Sequence, residues 1–215
     1  MKDMDETKLQ NMYLQKISET FERVTASTSF FREYESLKSI YAFEASVLQV
    51  RKALECMAFA SIAPNKAAYE KLRLEADKPA DYRKDFNARK IIELLSAINK
   101  DFYPVSLLPA VRQESGAWHF ERKADGYLTK KKFESFYDRL GKFLHADNPW
   151  GNDKGVQNLI SEIPSVLDQI HELLALHFTV IRTPEFSGVW VVEAGPSVTT
   201  PRVIRGEAGG EFVVQ

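Results

Sequence analysis

Helical spacing of apolar residues runs through the first two-thirds of the chain, and this pattern limits the fold more than any other feature. Four amphipathic stretches carry apolar residues at intervals of three and four positions, namely 5–25, 36–62, 87–99 and 129–146. A fifth such stretch covers 153–176, where Pro164 is expected to kink or break the helix. A short polar helix is also predicted around residues 66–77. A chain with this pattern buries one face of each helix and folds as a bundle.

The helical spacing of apolar residues ends at about residue 176. Short runs rich in β-branched residues follow, separated by Pro and Gly: HFTVIR, GVWVVEA, PRVIR and EFVVQ. We predict a small antiparallel β appendage over residues 177–215, following a helical bundle over residues 1–176. Because two or three strands are marginally stable alone, the appendage is expected to pack on the helices or on a partner chain. Upstream, the Asp125-Gly126 turn signal predicts a hairpin within residues 117–128.

Charge and cysteine content limit the compartment and the classes of partner. The 215 residues carry a net charge of -1, so any nucleic-acid site must be a local basic patch. No apolar run approaches the roughly 20 residues that span a bilayer, and the charged N-terminus lacks the apolar core of a signal peptide. The single cysteine, Cys56, excludes an internal disulfide and a multi-cysteine metal site. We therefore expect a cytoplasmic protein without membrane contact, in which Cys56 is a buried helical residue.

The candidate catalytic residues are Arg139 and His145, which lie six positions apart on the helix predicted at 129–146. A histidine can take the proton from a ribose 2′-hydroxyl because its pKa lies near neutrality. An arginine can hold the scissile phosphate with a bidentate, permanently charged fork. Such a pair would cleave RNA without a metal ion, and no cofactor is predicted. The alternative is a solvated arginine and a capping histidine that is stabilised by the helix dipole.

The spacing of this pair carries a geometric condition. Six residues along an ideal helix leave the two side chains about 120° apart. They converge only if the helix ends near His145 or if a second chain contributes to the site. The same loose spacing recurs at Arg112 and His119, but that segment is not convincingly helical. We therefore prefer Arg139 and His145 as the catalytic candidates.

Three charged residues of the second helix, Glu44, Arg51 and Glu55, share one face with apolar neighbours. Charges within an apolar arc either pair with one another or reach a polar site between helices. In the second case Arg51 or Glu55 would line a substrate pocket together with Arg139 and His145.

Local charge and neighbouring residues add two more substrate-binding candidates, Lys142 and Asn148. The segment from Thr129 to His145 has five basic and two acidic residues, which is a mildly basic patch suited to RNA. Asp147 and Asn148 follow His145 and would orient its ring, or they are turn residues ahead of Pro149. Metal binding is not predicted. His171 and His177 lie six residues apart and are expected to face solvent or the β appendage.

The chain resembles the HEPN superfamily over roughly residues 36–175. Three segments carry the resemblance: VRKALECMAFA, FNARKIIELLSAINKDFYP and YLTKKKFESFYDRLGKFLHADNP. It implies a helical bundle that is commonly dimeric, with an Arg-x(4–6)-His motif that Arg139 and His145 match. Catalytic members are metal-independent endoribonucleases of toxin–antitoxin, anti-phage and RNA-processing systems, and their composite site forms where two motifs face each other across the dimer. Other members have lost catalysis and serve as binding or scaffold modules.

Two letters inside the motif depart from the family pattern. Leu140 stands where catalytic members often have a polar residue. Gly141 lies within the helix, where it costs about 1 kcal/mol relative to alanine unless another group approaches closely.

The sequence thus predicts a mainly α protein, a HEPN-like helical bundle with a small C-terminal antiparallel β appendage. The expected function is metal-independent RNA cleavage by a homodimer in a toxin–antitoxin or antiviral defence system. A protein partner would then be an antitoxin or another defence component. One alternative is a non-catalytic dimeric scaffold that binds a protein partner through the bundle or through strand edges of the appendage. A third possibility is a small-molecule sensor that binds its ligand between helices, although no residue of the sequence marks such a ligand.

Overall fold

The computed structural model describes residues 6–76, 80–146, 150, 155–182 and 187–207. The chain is mainly helical and has a small antiparallel sheet. The α-helices are α1 (Glu6–Leu37), α2 (Ile40–Ile62), α3 (Lys66–Leu74), α4 (Ala88–Ile98), α5 (Lys130–Leu144) and α6 (Val156–Leu174). Single 3-10 turns lie at Ala63–Asn65 and Tyr82–Lys84. None of the described helices is both long enough and apolar enough to cross a membrane.

The first two helices form an antiparallel pair that is joined by a sharp break. Helix α1 continues twelve residues beyond the predicted end at residue 25, and α2 begins at Ile40 rather than at residue 36. Lys38 separates them with a φ of 53°, a left-handed conformation that ends α1. The buried hydroxyls of Ser27 and Ser46 lie 2.9 Å apart and fix the two helices side by side.

Side-chain caps mark the starts of α4 and α5. The Asn87 side chain accepts a hydrogen bond from the backbone N–H of Lys90 at 3.0 Å, and Thr129 caps α5 in the same way. Helix α5 ends at Leu144, two residues before the predicted end. Helix α6 runs through Pro164 without a break. Buried side chains on both sides of this proline hold the two halves of the helix on the core, namely Ile163, Val166 and Leu167.

The strands are β1 (Val105–Ser106), β2 (Val111–Arg112), β3 (Trp118–His119), β4 (Leu176–Arg182), β5 (Ser187–Glu193) and β6 (Arg202–Glu207). Four of them form an antiparallel sheet in the order β1-β4-β5-β6. The sheet therefore includes a strand that precedes α5, since Val105 pairs with Phe178. The predicted run EFVVQ lies outside the described residues.

Part of the sheet packs into the main hydrophobic core with the helices, and a second, smaller cluster lies within the sheet region. Trp190 of β5 is 1% exposed, and its ring meets the ring of Tyr13 edge-on with centroids 5.9 Å apart. Glu6 at the start of α1 accepts hydrogen bonds from the Trp190 indole at 3.3 Å and from Arg205 of β6 at 2.9 Å. The expected packing of the strands on the bundle is confirmed, and the domain boundary at residue 176 stays a prediction.

Buried Asn99 joins three parts of the fold at the end of α4. Its Nδ2 donates to the Asn65 side chain at 3.1 Å and to the Val180 carbonyl of β4 at 2.8 Å. Its Oδ1 accepts from the backbone N–H of Asp101 at 3.1 Å. This one amide thus ties α4, the 3-10 turn after α2 and the sheet together.

The hairpin lies earlier in the chain than predicted. Strands β2 and β3 pair around a turn at Gly116, whose φ is 81°. Gly126 also has a positive φ, of 82°, but it belongs to the bend that leads into α5. Both glycines supply a left-handed turn. The Asp125-Gly126 signal therefore predicts a turn correctly, but the hairpin lies elsewhere.

Candidate functional site

Arg51, Glu55 and Tyr137 form a polar cluster where α2 meets α5. The Arg51 guanidinium donates to the Tyr137 hydroxyl at 2.8 Å and to the Tyr137 carbonyl at 3.2 Å, and it lies over the Tyr137 ring at 4.0 Å. The hydroxyl in turn donates to Glu55 at 3.0 Å, and Glu55 lies 3.4 Å from Nε of Arg51. Arg51 and Glu55 therefore pair with each other, as one of the two sequence alternatives predicts, and both also bind Tyr137 of α5.

The start of α4 completes this cluster. The backbone N–H of Ala88 points at the Tyr137 hydroxyl at 3.4 Å. Burial, together with the nearby Glu55 carboxylate, raises the pKa of Tyr137, so its phenol stays protonated and can donate. A tyrosine that bridges three helices in this way fixes the position of α5 against α2 and α4.

Gly141 lets Arg51 reach this position. A β-carbon at residue 141 would stand 2.6 Å from Nη1 of Arg51, which is closer than real β-carbons approach other atoms. The glycine inside the Arg139–His145 motif therefore meets the condition that the sequence set, a close approach by another group.

Arg139 lies on a different face of α5. Its guanidinium binds the Glu162 carboxylate of α6 and lies 5.2 Å from the centre of the Phe136 ring. Lys132, seven residues earlier and on the same face, places Nζ 3.7 Å from Glu162. The Arg139 side chain is 45% exposed. The structure therefore brings Arg139 to α6, whereas it brings Arg51 and Glu55 to Tyr137.

His145 stands at the C-cap of α5 with φ −78° and ψ 148°, an extended backbone. The helix therefore ends before His145, which is the first of the two conditions set by the motif spacing. His145 and Lys142 of the last turn are both exposed. Asp147 and Asn148 lie outside the described residues. The catalytic and substrate-binding roles of these residues stay predictions.

The second Arg/His match does not form a site. In the β2–β3 hairpin, Val111 is opposite His119 and Arg112 is opposite Trp118. Successive residues of a strand point to opposite faces. Arg112 and His119 therefore lie on opposite faces of the hairpin.

His177 is buried, which differs from the predicted solvent-facing or appendage-facing position. Its Nε2 lies 2.7 Å from the Tyr13 hydroxyl and its Nδ1 lies 3.0 Å from the Leu174 carbonyl. The carbonyl can only accept, so Nδ1 carries the proton and Nε2 accepts from the hydroxyl. Burial lowers the pKa of His177 to about 4. The imidazole is therefore neutral and belongs to the core.

The remaining sites for ligands or nucleophiles are limited. Among the described residues, no group of three or more His, Cys, Asp or Glu side chains is placed to hold a metal ion. Cys56 is buried, as predicted, and this burial raises the pKa of its thiol to about 11, which keeps it unreactive.

The central position of Tyr137 in the polar cluster was not predicted from the sequence. The available signal was a tyrosine in the apolar stripe of α5, since a buried hydroxyl needs a partner.

Comparisons with protein-family models, with curated proteins and with solved structures found no match to this chain.

Proposed function

We propose that the chain is a HEPN-type homodimer that cleaves RNA without a metal ion, in a toxin–antitoxin or anti-phage defence system. The observation that carries this proposal is the position of the motif at the end of α5. Arg139 and His145 are both exposed. The backbone at His145 is extended, so the direction of its side chain is not set by the helical repeat of α5. Arg139 holds the scissile phosphate and His145 transfers protons.

The reaction divides the two proton transfers between two histidines. His145 of one protomer takes the proton from the ribose 2′-hydroxyl, and the 2′-oxygen attacks the adjacent phosphorus. The bond from phosphorus to the 5′-oxygen breaks, and the protonated imidazole of the other His145 gives its proton to that leaving oxygen. The products are a 2′,3′-cyclic phosphate and a free 5′-hydroxyl. Arg139 stabilises the charge that develops on the phosphate oxygens.

An apolar surface beside the motif supports the dimer. Tyr41 is 78% exposed and belongs to a group of exposed apolar side chains at the junction of α1 and α2. We call this group the α1–α2 patch; its members are Leu37, Ile40, Tyr41 and Leu48. The rings of Phe43 and Phe143 lie 5.3 Å apart, which places the start of α2 beside the end of α5. We propose that a second copy docks on this patch with the α5 ends of the two copies facing each other.

The ion pair with Glu162 sets the resting state of the proposed clamp. Both side chains of this pair are partly exposed, Arg139 by 45% and Glu162 by 26%. Exposed ion pairs contribute only about 0.2–1 kcal/mol. A phosphate diester that binds the guanidinium with two hydrogen bonds therefore competes successfully with Glu162.

The remaining predicted site residues take two kinds of role in this proposal. Lys142 adds positive charge at the exposed last turn of α5, and Asn148 follows the histidine. Arg51 and Glu55 are positioning residues, because they act on the motif through Tyr137 and Gly141. They hold α5 in place, and their predicted role in lining a substrate pocket stays a prediction.

The second candidate function is a non-catalytic module that binds a protein partner. Two observations favour it: the α1–α2 patch is suited to a protein partner, and Arg139 already has a carboxylate ligand within its own chain. In this function Arg139 stabilises the contact between α5 and α6.

The test is cleavage of a mixed-sequence RNA in the presence of EDTA. We expect wild-type protein to cleave, and His145→Ala to lose activity by at least about 100-fold, as is usual when an acid–base group is removed. Arg139→Ala should lose about as much, because it removes the cation that stabilises the developing negative charge. Lys71→Ala is the control, since it removes an exposed positive charge on α3, outside the basic segment 129–145. Cleavage that survives His145→Ala unchanged would overturn the assignment. A wild-type dimer that does not cleave RNA would favour the interaction module.

A further inference from the structure

A cavity of about 450 Å³ lies between α1, the end of α2 and the 3-10 turn Tyr82–Lys84. Pockets of this size hold small molecules. Apolar side chains form much of its lining: Leu9 and Met12 of α1, and Phe59 and Ile62 of α2. Met12 is 46% exposed although it is apolar, so this lining is open to solvent. The composition of the lining suits the hydrocarbon part of a ligand.

Four basic side chains also line the cavity. They are Lys8, Lys16, Lys66 and Arg83. Asp85 is the one acidic side chain among the described residues that line the cavity, and its carboxylate already binds the Tyr69 hydroxyl at 2.9 Å and Arg73 at 2.8 Å. The charge that faces a ligand is therefore positive, and a ligand with a negative group is complementary to it.

The cations also limit how much negative charge the ligand can carry. Lys16, Lys66 and Arg83 each contact a carboxylate that is outside the lining, at 2.7, 2.9 and 2.8 Å. A polyphosphate would meet these carboxylates as like charges, which disfavours it. An ammonium has three donors, so one that already binds a carboxylate can still donate to a second. A head group with a single charge fits this arrangement.

The position of the Lys66 ammonium links the charged and apolar parts of the cavity. It lies 5.6 Å from the centre of the Tyr82 ring, which also lines the cavity. A hydrogen bond with Glu70 raises its pKa, so it stays charged. An anionic head group at Lys66 therefore meets a fixed cation beside an aromatic face, and its hydrocarbon part continues over the apolar lining.

We propose that this cavity binds a small amphipathic carboxylate, with its hydrocarbon body against Met12 and Phe59 and its carboxylate at Lys16 and Lys66. The proposal goes beyond RNA cleavage and does not depend on it, because the cavity is lined by α1, the end of α2 and residues 63–85. The ligand class follows from the apolar lining, the basic side chains beside it and the carboxylates that already occupy part of each cation.

Isothermal titration calorimetry with decanoate tests the proposal on the full chain. Decanol carries a hydrocarbon chain of the same length without the charge, and acetate carries the charge without the hydrocarbon chain. We expect decanoate to bind with one-to-one stoichiometry, at least about tenfold more tightly than decanol, which corresponds to about 1.4 kcal/mol. Acetate is expected not to bind measurably. Equal binding of decanoate and decanol, or more than one decanoate per chain, would overturn the proposal.

Two neighbouring variants locate the site. Met12→Asp places a negative charge on the apolar lining at a solvent-exposed helix position, so the fold is retained. Asn11→Asp adds the same charge next to it, at an exposed position outside the lining. Met12→Asp should weaken decanoate binding at least about tenfold, whereas Asn11→Asp should leave it within about twofold. If both variants bind as wild type does, decanoate does not occupy this cavity.

Discussion

Arg51 and Gly141 share one space: Nη1 of the arginine lies 2.6 Å from the point that a β-carbon on the glycine would occupy. Three polar contacts hold the guanidinium there, two to Tyr137 and one to Glu55. The glycine is therefore matched to an arginine ninety positions earlier in the chain. Through it, the predicted catalytic motif is coupled to α2.

Replacing Gly141 by alanine should destabilise the protein by about 1 kcal/mol. The new methyl group displaces the Arg51 guanidinium and costs charged hydrogen bonds worth about 1.5–3 kcal/mol. Alanine returns about 1 kcal/mol of helix propensity, which offsets part of that loss. Urea unfolding followed by circular dichroism measures the difference.

The same substitution should have the opposite sign when Arg51 is absent. In an Arg51→Ala background there is no guanidinium to displace, so Gly141→Ala should stabilise the helix by up to about 1 kcal/mol. The two single variants and the double variant form a thermodynamic cycle. An unchanged effect of Gly141→Ala in both backgrounds would show that the close approach does not limit residue 141.

Glu162→Gln should strengthen RNA binding by about twofold to fivefold. The substitution removes the carboxylate that holds Arg139, and an exposed ion pair of this kind contributes about 0.2–1 kcal/mol. The measurement is fluorescence anisotropy with a labelled single-stranded RNA. Glu172→Gln is the matched control on the same helix, because Glu172 binds Lys123 instead. Equal effects of the two variants would indicate that only overall charge matters.

Stability should fall by about 2 kcal/mol between about pH 7 and about pH 5 because of His177. Its pKa is about 4 in the folded protein, whereas in the unfolded chain it takes the ordinary value of about 6.5. The unfolded chain therefore binds the additional proton between these two values. The stabilisation is complete above the unfolded value and is lost as the pH falls toward the folded value.

The variant His177→Gln isolates this contribution. It removes the titrating ring, so its free energy of unfolding should depend less steeply on pH, even though the variant is less stable overall. His119→Gln, in the exposed β3 strand, should keep the wild-type slope because His177 is still present. Urea denaturation at both pH values gives the slopes, and a wild-type slope in His177→Gln would contradict the assignment.

Asn99→Asp should cost about 3 kcal/mol. The change is nearly isosteric, but it replaces the donor that faces the Asn65 oxygen and the Val180 carbonyl by an oxygen. Buried polar groups without partners cost about 1–3 kcal/mol, and a buried charge costs more. Asn158→Asp is the control, since this exposed residue lies in the first turn of α6, where a negative charge is tolerated. Thermal unfolding of the two variants makes the comparison.

Local signals explain which helices could be predicted from the sequence. Asn87 and Thr129 have side chains that cap a helix, and apolar periodicity marks the helices that follow. The segment between α1 and α2 contains no Gly or Pro, so the sequence predicts helix at Lys38, where the structure has a left-handed residue. Strand β1 has only two residues, too few for any periodicity, and its partner β4 lies about seventy positions away.

Contacts between residues that are far apart in the sequence also limited the prediction of the candidate site. The Arg51–Glu55 pair lies within one helix and could be inferred from its spacing. Glu162, the partner of Arg139, is on another helix, and no local pattern links the two. Tyr137 followed the apolar stripe of α5, and periodicity shows that such a residue is buried but not what its hydroxyl binds.

The contact between Glu6 and Arg205 closes the chain on itself across 199 positions. A nascent chain on the ribosome therefore has its first helix long before the strands that cover it. Until β5 emerges, Tyr13 lacks the Trp190 ring that packs against it in the finished protein. Completion of the core consequently waits for the synthesis of β5, and truncation before this strand exposes apolar surface of α1 to aggregation.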